Sequence, residues 1–597
     1  MKRSPGMSTA QPQPTPMPVV DGMTTLREKL DLGLEAIAAK NFQKAAELLD
    51  PEALPRDAEI PLKIEWASAL YTARAHDQSD ALFGRMLTQH PGDRSVHVAF
   101  AKQLYHAGFL RRAHDVLNAV SDQLAAGSKS LSLFNRTKHL LSVLEDKEGV
   151  APVPHDDCRL LAMKHATLAF RGRDASPLQK DEVGRITLIT GSLGPGGAER
   201  QLSRTAAQLE RWRSRGEAVA GVMVKRQVEV LVRSHGPEQE HDFFLPDLLD
   251  ANVALGEINK MEPMAPSKFD ISDADLRILL EYLPPKVNFG IRRLVPHLLK
   301  SRPDVVSIWQ DGACLFAALA AIIAGVPKIQ LAIRGLPPSQ RRHLFQPEYE
   351  QMYRTLAQVP GVQFLSNSKA AAQAYAEWLE IPVERFDILY NGVGKMESHS
   401  SPDVERQWAD FVTSTPDADH TIGGVFRFDT DKRPATWIRF AARYFRKHPN
   451  SRFVIVGGGR LLDAARDQAQ QLGIADRILF VGRSTNVGFW VKHFDVMVLM
   501  SRFEGLPNVL IESQFMGIPV VSTPAGGAAE CFIEGKTGHI LSDADKPDLD
   551  EACEKVNDLV GRAHNPNVFS SDTQAFLEEN FSVSQMLENF VRLACKA

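Results

Sequence analysis

Over residues 24–124 apolar side chains recur every three to four positions, in a background rich in Ala, Leu, Arg and Lys. That period lays one apolar stripe along each of several helices and predicts an all-α region. The pattern continues over residues 131–145 and 158–170 and gives way to a polar linker at 171–184. Beyond residue 184 the texture changes to short β-branched runs alternating with helical stretches, the arrangement of α/β units on parallel sheets. Strands are predicted at 185–190, 304–309, 329–333, 363–366 and 388–390, with helices at 198–212 and 315–324. A polar stretch at 394–420, carrying a Ser-His-Ser-Ser-Pro run, reads as a hinge. A second set of strands follows at 423–428, 452–456, 477–481, 496–500 and 519–522. The fold class is therefore α/β, two Rossmann-like domains facing a cleft at the carboxyl ends of their strands, behind an all-α domain.

The helical region repeats. Trp66-Ala67-x-x-Leu70-Tyr71-x-Ala73 returns thirty-four residues later as Phe100-Ala101-x-x-Leu104-Tyr105-x-Ala107. Each copy leads to a small residue in a second helix, Ala81 and Ala113, where one copy is two residues out of step; Phe42 and Ala46 match Phe109 and Ala113 at a shift of 67. Two to three degenerate copies resemble the tetratricopeptide repeat, in which a bulky residue, a small residue and a Leu-Tyr pair let two helices pack closely. A generic bundle of helical hairpins is the alternative.

Hydrophobic residues make up 44% and charged residues 24% of 597, which excludes a largely disordered, collagen-like or coiled-coil chain. A net charge of −4 lacks the positive field of a general nucleic-acid binder. Five cysteines, far apart and in no CxxC or Cys/His spacing, point to a reducing compartment and give no zinc site. The longest apolar run, residues 313–326, is too short to span a bilayer. At the amino end Lys2 and Arg3 precede a Pro- and Gln-rich stretch instead of an apolar signal core, so residues 1–22 read as a disordered leader.

Two glycine loops follow predicted strands. In Gly191-Ser-Leu-Gly194-Pro-Gly196-Gly197-Ala-Glu199 the backbone N–H groups and the helix that follows favour a phosphate, but the third glycine of a dinucleotide fingerprint is replaced by Glu199. Gly457-Gly458-Gly459 fails the same test at Leu462. The strongest local signal runs from Ser501 to Glu530. Glu504 lies in a Gly-Leu-Pro loop that offers backbone N–H groups from Gly505, Leu506 and Asn508, while Glu512 sits one turn into a helix, placed to accept hydrogen bonds from a vicinal diol.

This segment, with Gly-Gly-Ala-Glu at 196–199, Tyr390-Asn391-Gly392-Val393, and Arg427 five residues before Lys432, resembles glycosyltransferase family 4, of GT-B fold, over roughly residues 184–595. The resemblance implies an acceptor-side domain over 184–395, a donor-side domain over 420–565, and a closing segment over 566–597 that crosses back to the first; the helical region then spans 23–175. It implies a metal-independent enzyme whose substrate is a nucleotide-diphosphate sugar, with no cofactor. Glu504 would orient the donor sugar, Glu512 would hold the ribose, and Arg427 and Lys432 would clamp the diphosphate. The backbone at Gly196 and Gly197 would face the phosphates, and the segment at Arg483 would lie by the base. Reaction with retention of configuration is implied. Asp429-Thr-Asp431 reads as a solvated turn, not a metal site. The sequence departs from the family at the N-domain strand ends, where histidine is common: Asp311, Arg334 and Asn391 are the acceptor or cleft candidates, and Asp311 is alternatively a cap for the following helix.

Basic faces at Arg439, Arg443, Arg446 and Lys447, and at Arg204, Arg211, Arg213 and Arg215, are solvated surfaces or docking points for anionic headgroups. The expected setting is cytoplasmic, or peripheral at the inner face of the membrane, in cell-surface polysaccharide biosynthesis with a glycan or lipid-linked acceptor. Two alternatives stay open: a protein glycosyltransferase, acting for example on a flagellin recruited by the repeats, and a non-catalytic scaffold that binds nucleotide sugar.

Overall fold

The computed structural model describes residues 25–175, 177–236 and 242–596, which form two compact units, 1–161 and 162–597. The leader at 1–22 lies outside the described residues.

In the first unit six helices pair as hairpins: Leu26–Ala38 with Phe42–Leu48, Ile60–Thr72 with His76–Gln89, and Arg94–Ala107 with Leu110–Asn118. The first is opened by a capping box between Thr25 and Glu28. Equivalent helices start thirty-four residues apart in all three hairpins. This corrects the sequence register at two points. The small residues at the helix crossings are Ala45, Ser79 and Ala113, all fully buried, whereas Ala81 is exposed and Ala46 only half-buried. No copy is out of step. Ser79 escaped a search for small apolar residues because its hydroxyl is satisfied inside the crossing, donating to Ala67 O at 2.7 Å. Trp66 likewise donates its indole N–H to Leu49 O at 2.7 Å, and Phe83 stacks on Phe100 with centroids 4.7 Å apart.

The second unit is built on two large, wholly parallel sheets, beside a short parallel pair of Glu182–Val183 with Met223–Val224. The first has seven strands: β1 (Ile186–Thr190), β2 (Glu229–Val232), β3 (Ala254–Glu257), β4 (Val305–Trp309), β5 (Lys328–Ile333), β6 (Val362–Ser366) and β7 (Phe386–Ile388), in the order β3-β2-β1-β4-β5-β6-β7. The second has β8 (His420–Val425), β9 (Ser451–Val456), β10 (Ile478–Gly482), β11 (Val496–Leu499), β12 (Val520–Ser522) and β13 (Gly538–Ile540), in the order β10-β9-β8-β11-β12-β13. β2 was invisible in the sequence because a charge interrupts it: Glu229 is buried and held by Thr187 Oγ1 and His297 Nε2, each at 2.9 Å. The strands predicted at 388–390 and 423–428 lie two to three residues earlier. The apolar run at 313–326 belongs to helix Asp311–Ile323, packed so closely on helix Pro285–Ser301 that a Cβ on Gly290 would lie 1.6 Å from Phe316 O. No helix of the described residues is long and apolar enough to cross a membrane.

The stretch expected to be a hinge contains a helix, Pro402–Ser414, started by Ser401, whose side chain caps Val404 N, and by Pro402 at the first turn. Val404, Trp408 and Phe411 put its apolar stripe on the core of the second sheet. At the carboxyl end, helix Val583–Cys595 leaves the second sheet and buries Met586, Leu587, Phe590, Val591 and Ala594 in the core of the first.

Candidate active site

The loops after β8 and β11 meet at the carboxyl ends of the second sheet. Arg433 staples them, donating to Met500 O at 2.8 Å and to Ser501 O at 3.0 Å. Beside this staple the Lys432 ammonium pairs with Glu504, whose side chain is only 10% exposed. Arg427 stands apart from the pair. Its side chain is 73% exposed and reaches Asp429 at 3.3 Å. The carboxylates of the Asp429-Thr-Asp431 triplet are both engaged: Asp429 also accepts from Lys432 N at 3.1 Å, and Asp431 pairs with Arg341 at 3.0 Å. Among the described residues no group of three or more His, Cys, Asp or Glu side chains is arranged to hold a metal.

Gly505 lies where the two sheets' loops touch. A Cβ there would sit 2.5 Å from Arg334 O and 2.8 Å from Asn367 Nδ2, so a side chain would force the halves apart. Leu506 is buried, and Asn508 starts helix Asn508–Phe515 with its Oδ1 accepting from Asn391 Nδ2 at 2.7 Å. Glu512, one turn further, pairs with Arg200 of the opposite half at 2.9 Å. Arg483 is exposed after β10, its stem beside Gly458.

On the side of the first sheet, Gly196 is the N-cap of helix Gly197–Arg215. A Cβ on Gly197 would lie 3.8 Å from Asn508 Nδ2, so this glycine loop faces the Asn508 helix. Glu199 folds back over Gly196 and accepts from Gln310 Nε2 at 3.1 Å. Gln310, at the tip of β4, has φ 74° and ψ 150°. A non-glycine residue there stores of order 1–3 kcal/mol, and such strain concentrates at functional sites.

Asp311 does not cap the Asp311–Ile323 helix; the N-cap is Gln310, which makes no side-chain cap bond. Its carboxylate turns away from the cleft and accepts from Tyr353 Oη and Tyr375 Oη, both at 2.6 Å. Burial there pushes its pKa up against the pull of the two phenols. Arg334 stacks on Trp309, 3.8 Å from the ring, and donates to Leu389 O at 3.2 Å and Asn391 Oδ1 at 3.4 Å. Burial lowers its pKa to about 9.

The structure thus gathers Glu504, Lys432, Gly505, Leu506, Asn508, Glu512, Asn391, Gly196 and Gly197 around one cleft, with Arg334 beneath it, Arg427 and Arg483 at its rim, and Asp311 turned inward. Sequence reasoning missed Arg200, although it directly follows the Gly-Gly-Ala-Glu motif, and Arg341. It also passed over the role of Glu530, which accepts from the first N–H groups of helix Lys369–Leu379, Lys369 N at 2.8 Å and Ala370 N at 2.9 Å, and from Tyr390 Oη at 2.9 Å. The basic faces are partly paired: Lys447 and Arg443 share Asp550, Arg211 reaches Asp250 at 2.8 Å and Arg213 reaches Glu210, while Arg204 donates to Gly392 O and Arg439 and Arg446 bond only to Thr436 and to Ala442 O.

Comparison with known proteins gives this cleft a context. Residues 407–565 match the family Glycosyl transferases group 1. Anabaena HepE, solved in complex with UDP, superposes with a TM-score of 0.51 at 18% identity over 68% of this chain and 98% of that protein, and a glycosyltransferase from Rickettsia africae gives 0.51 at 14% over 69% and 98%. The fold of two facing parallel-sheet domains is GT-B. The Vi polysaccharide biosynthesis protein VipC/TviE of Salmonella typhi is 44% identical over 578 residues, 96% of this chain and 99% of its own length. With a group 1 glycosyltransferase domain in a GT-B fold and that identity along nearly its whole length, the chain belongs to the VipC/TviE family.

Proposed function

We propose that the chain is a retaining, family 4 type glycosyltransferase that moves a sugar from a nucleotide-diphosphate donor to a glycan or lipid-linked acceptor in cell-surface polysaccharide biosynthesis, acting in the cytoplasm. The observation that carries the reading is the Lys432–Glu504 pair, set beside the 505–508 loop at the carboxyl ends of β8 and β11, inside the group 1 domain. Glu504 orients the transferred sugar. The Lys432 ammonium stabilises charge developing on the departing diphosphate, and the exposed Arg427 side chain closes over the same group when the donor binds. Glu512 accepts the ribose hydroxyls, and the N–H groups around Gly505 and those opening the Gly197 helix face the phosphates. Two cations in place of a divalent ion make the reaction metal-independent, so activity should survive excess EDTA.

HepE binds UDP and VipC/TviE belongs to polysaccharide biosynthesis by name, which makes UDP-sugars the first donors to test. A screen of nucleotide sugars by thermal stabilisation should find at least one that raises the melting temperature of the wild type, because bound donor stabilises by mass action. With that donor, Lys432→Ala should lower kcat/KM by about 10²-fold or more, the scale of a lost charge-stabilising donor. A panel with no stabilising nucleotide sugar, or a Lys432→Ala enzyme of full activity, would overturn the proposal.

The strict thirty-four-residue period of the first unit favours tetratricopeptide-type repeats and, with them, a protein contact that brings the acceptor or its carrier to the enzyme. Peripheral membrane association would draw on Arg439 and Arg446, cations of the basic faces that have no carboxylate partner among the described residues.

A further inference from the structure

Glu512 poses a physical problem that its own half does not solve. Its side chain is 10% exposed, and a carboxylate so buried needs a charge partner. The partner comes from the other half: Arg200 Nη1 lies 2.9 Å from Glu512 Oε1.

The helix turn that carries Arg200 is fixed by its neighbours. Gly197 faces Asn508, Gln201 Oε1 accepts from Gly392 N at 3.1 Å, and Arg204 donates to Gly392 O. Residues 197, 200, 201 and 204 thus form one face over the first two turns of the helix, turned toward the donor half and the connection between the halves. The helix binds its own sheet through another face, with Leu202, Ala206 and Leu209 in the first core. The Arg200 face therefore serves the junction with the other half and not the core of its own sheet.

We infer that the ribose seat of the donor site is shared across the cleft, with Arg200 as a positioning residue that holds Glu512 ready for the vicinal diol of a nucleoside diphosphate. This rests on the donor reading above and adds to it a residue from the acceptor-side domain. The chemistry permits both contacts together: a carboxylate offers about four lone-pair sites, and one guanidinium N–H on Oε1 leaves room for two hydroxyls. The ribose is then read in full only when the two halves are together, which ties nucleotide affinity to closure without a separate lid.

The test separates this role from that of a mere strut between halves. Calorimetry is run with UDP, GDP and ADP on the full-length wild type, and the tightest binder is compared with its 2′-deoxy form. The wild type should prefer the ribo form by about tenfold. Arg200→Met should weaken the ribo form by about tenfold and leave the 2′-deoxy form nearly unchanged, so that the preference collapses toward one. Arg200→Gln supplies the same comparison where the Met variant does not fold. Equal weakening of both ligands would mark Arg200 as a strut, and an undiminished preference would leave Glu512 without need of it; either result overturns the inference. A wild type that binds none of the three nucleotides would instead bring down the donor reading itself.

Discussion

Gln310 carries the clearest local cost in the cleft. Its φ of 74° and ψ of 150° suit glycine, and the side chain returns one hydrogen bond to Glu199. Gln310→Gly removes strain of about 1–3 kcal/mol, loses a bond worth about 0.5–1.5 kcal/mol, and adds about 0.5–1 kcal/mol of unfolded-chain entropy. The terms nearly cancel, so a net change within about 1.5 kcal/mol of zero is expected in denaturant unfolding. A loss of about 2 kcal/mol or more would mean that the conformation carries no strain. At this scale the sequence was legible wherever chemistry is contiguous. Glu504, Gly505, Asn508 and Glu512 fall within nine residues, and their spacing alone puts two carboxylates and a row of N–H groups at one strand end. Arg200, Arg341 and Glu530 were not legible as site residues, because each acts through a partner 90 to more than 300 positions away and no local pattern records such a pairing. Asp311 misled for a related reason: the two phenols that claim its carboxylate come from helices 42 and 64 residues further on.

Among the elements, helix Pro402–Ser414 shows what a composition-led reading loses. Ser, His and Pro before it suggested a hinge, while the Val404, Trp408 and Phe411 stripe behind them binds it to the second core. Trp408 does so by stacking on His493, ring centroids 4.6 Å apart, with Phe489 edge-on to the same imidazole at 5.0 Å. Burial, with help from the nearby Lys492 and Arg452 charges, lowers the His493 pKa from 6.5 to about 4. The folded state therefore binds fewer protons than the unfolded chain between those values. The stabilisation is complete above pH 6.5 and is lost as pH falls toward 4, by at most about 3 kcal/mol. His493→Phe keeps the stack and removes the proton site. Unfolding free energies at pH 7 and pH 5 should differ less in the variant than in the wild type. An equal pH dependence in both would place the titrating groups elsewhere. The parallel strands, by contrast, were nearly all readable from β-branched runs. The exceptions, β2, β3 and β13, fall where a buried Glu229 or a short half-buried segment breaks the apolar run.

For the second unit as a whole, the joints between the halves matter most. The chain crosses between them near Val393 and again near Ser582, and the two crossings pair as a parallel bridge, with Val393 N donating to Phe581 O at 2.7 Å. Two adjacent crossings leave the halves one narrow connection, while Glu530, Arg341–Asp431 and Arg200–Glu512 link them across the cleft. The return crossing does more than tether. Its helix, Val583–Cys595, supplies five buried side chains to the core of the first sheet, so that half of the unit is incomplete without this helix. At about 1.5–3 kcal/mol for each of the larger four and less for Ala594, their burial contributes on the order of 10 kcal/mol, which is the size of a domain's whole stability. A chain ending at Ser582 should therefore fail to give soluble folded protein. Phe590→Ala is the milder probe, expected to cost about 3–5 kcal/mol and to shift the urea midpoint of the second unit without changing its slope. A soluble truncated chain with an unchanged midpoint would make the closing helix an appendage. The first sheet would then have to bury Leu188, Trp309 and Leu389 without it, and these side chains share its core in the intact fold.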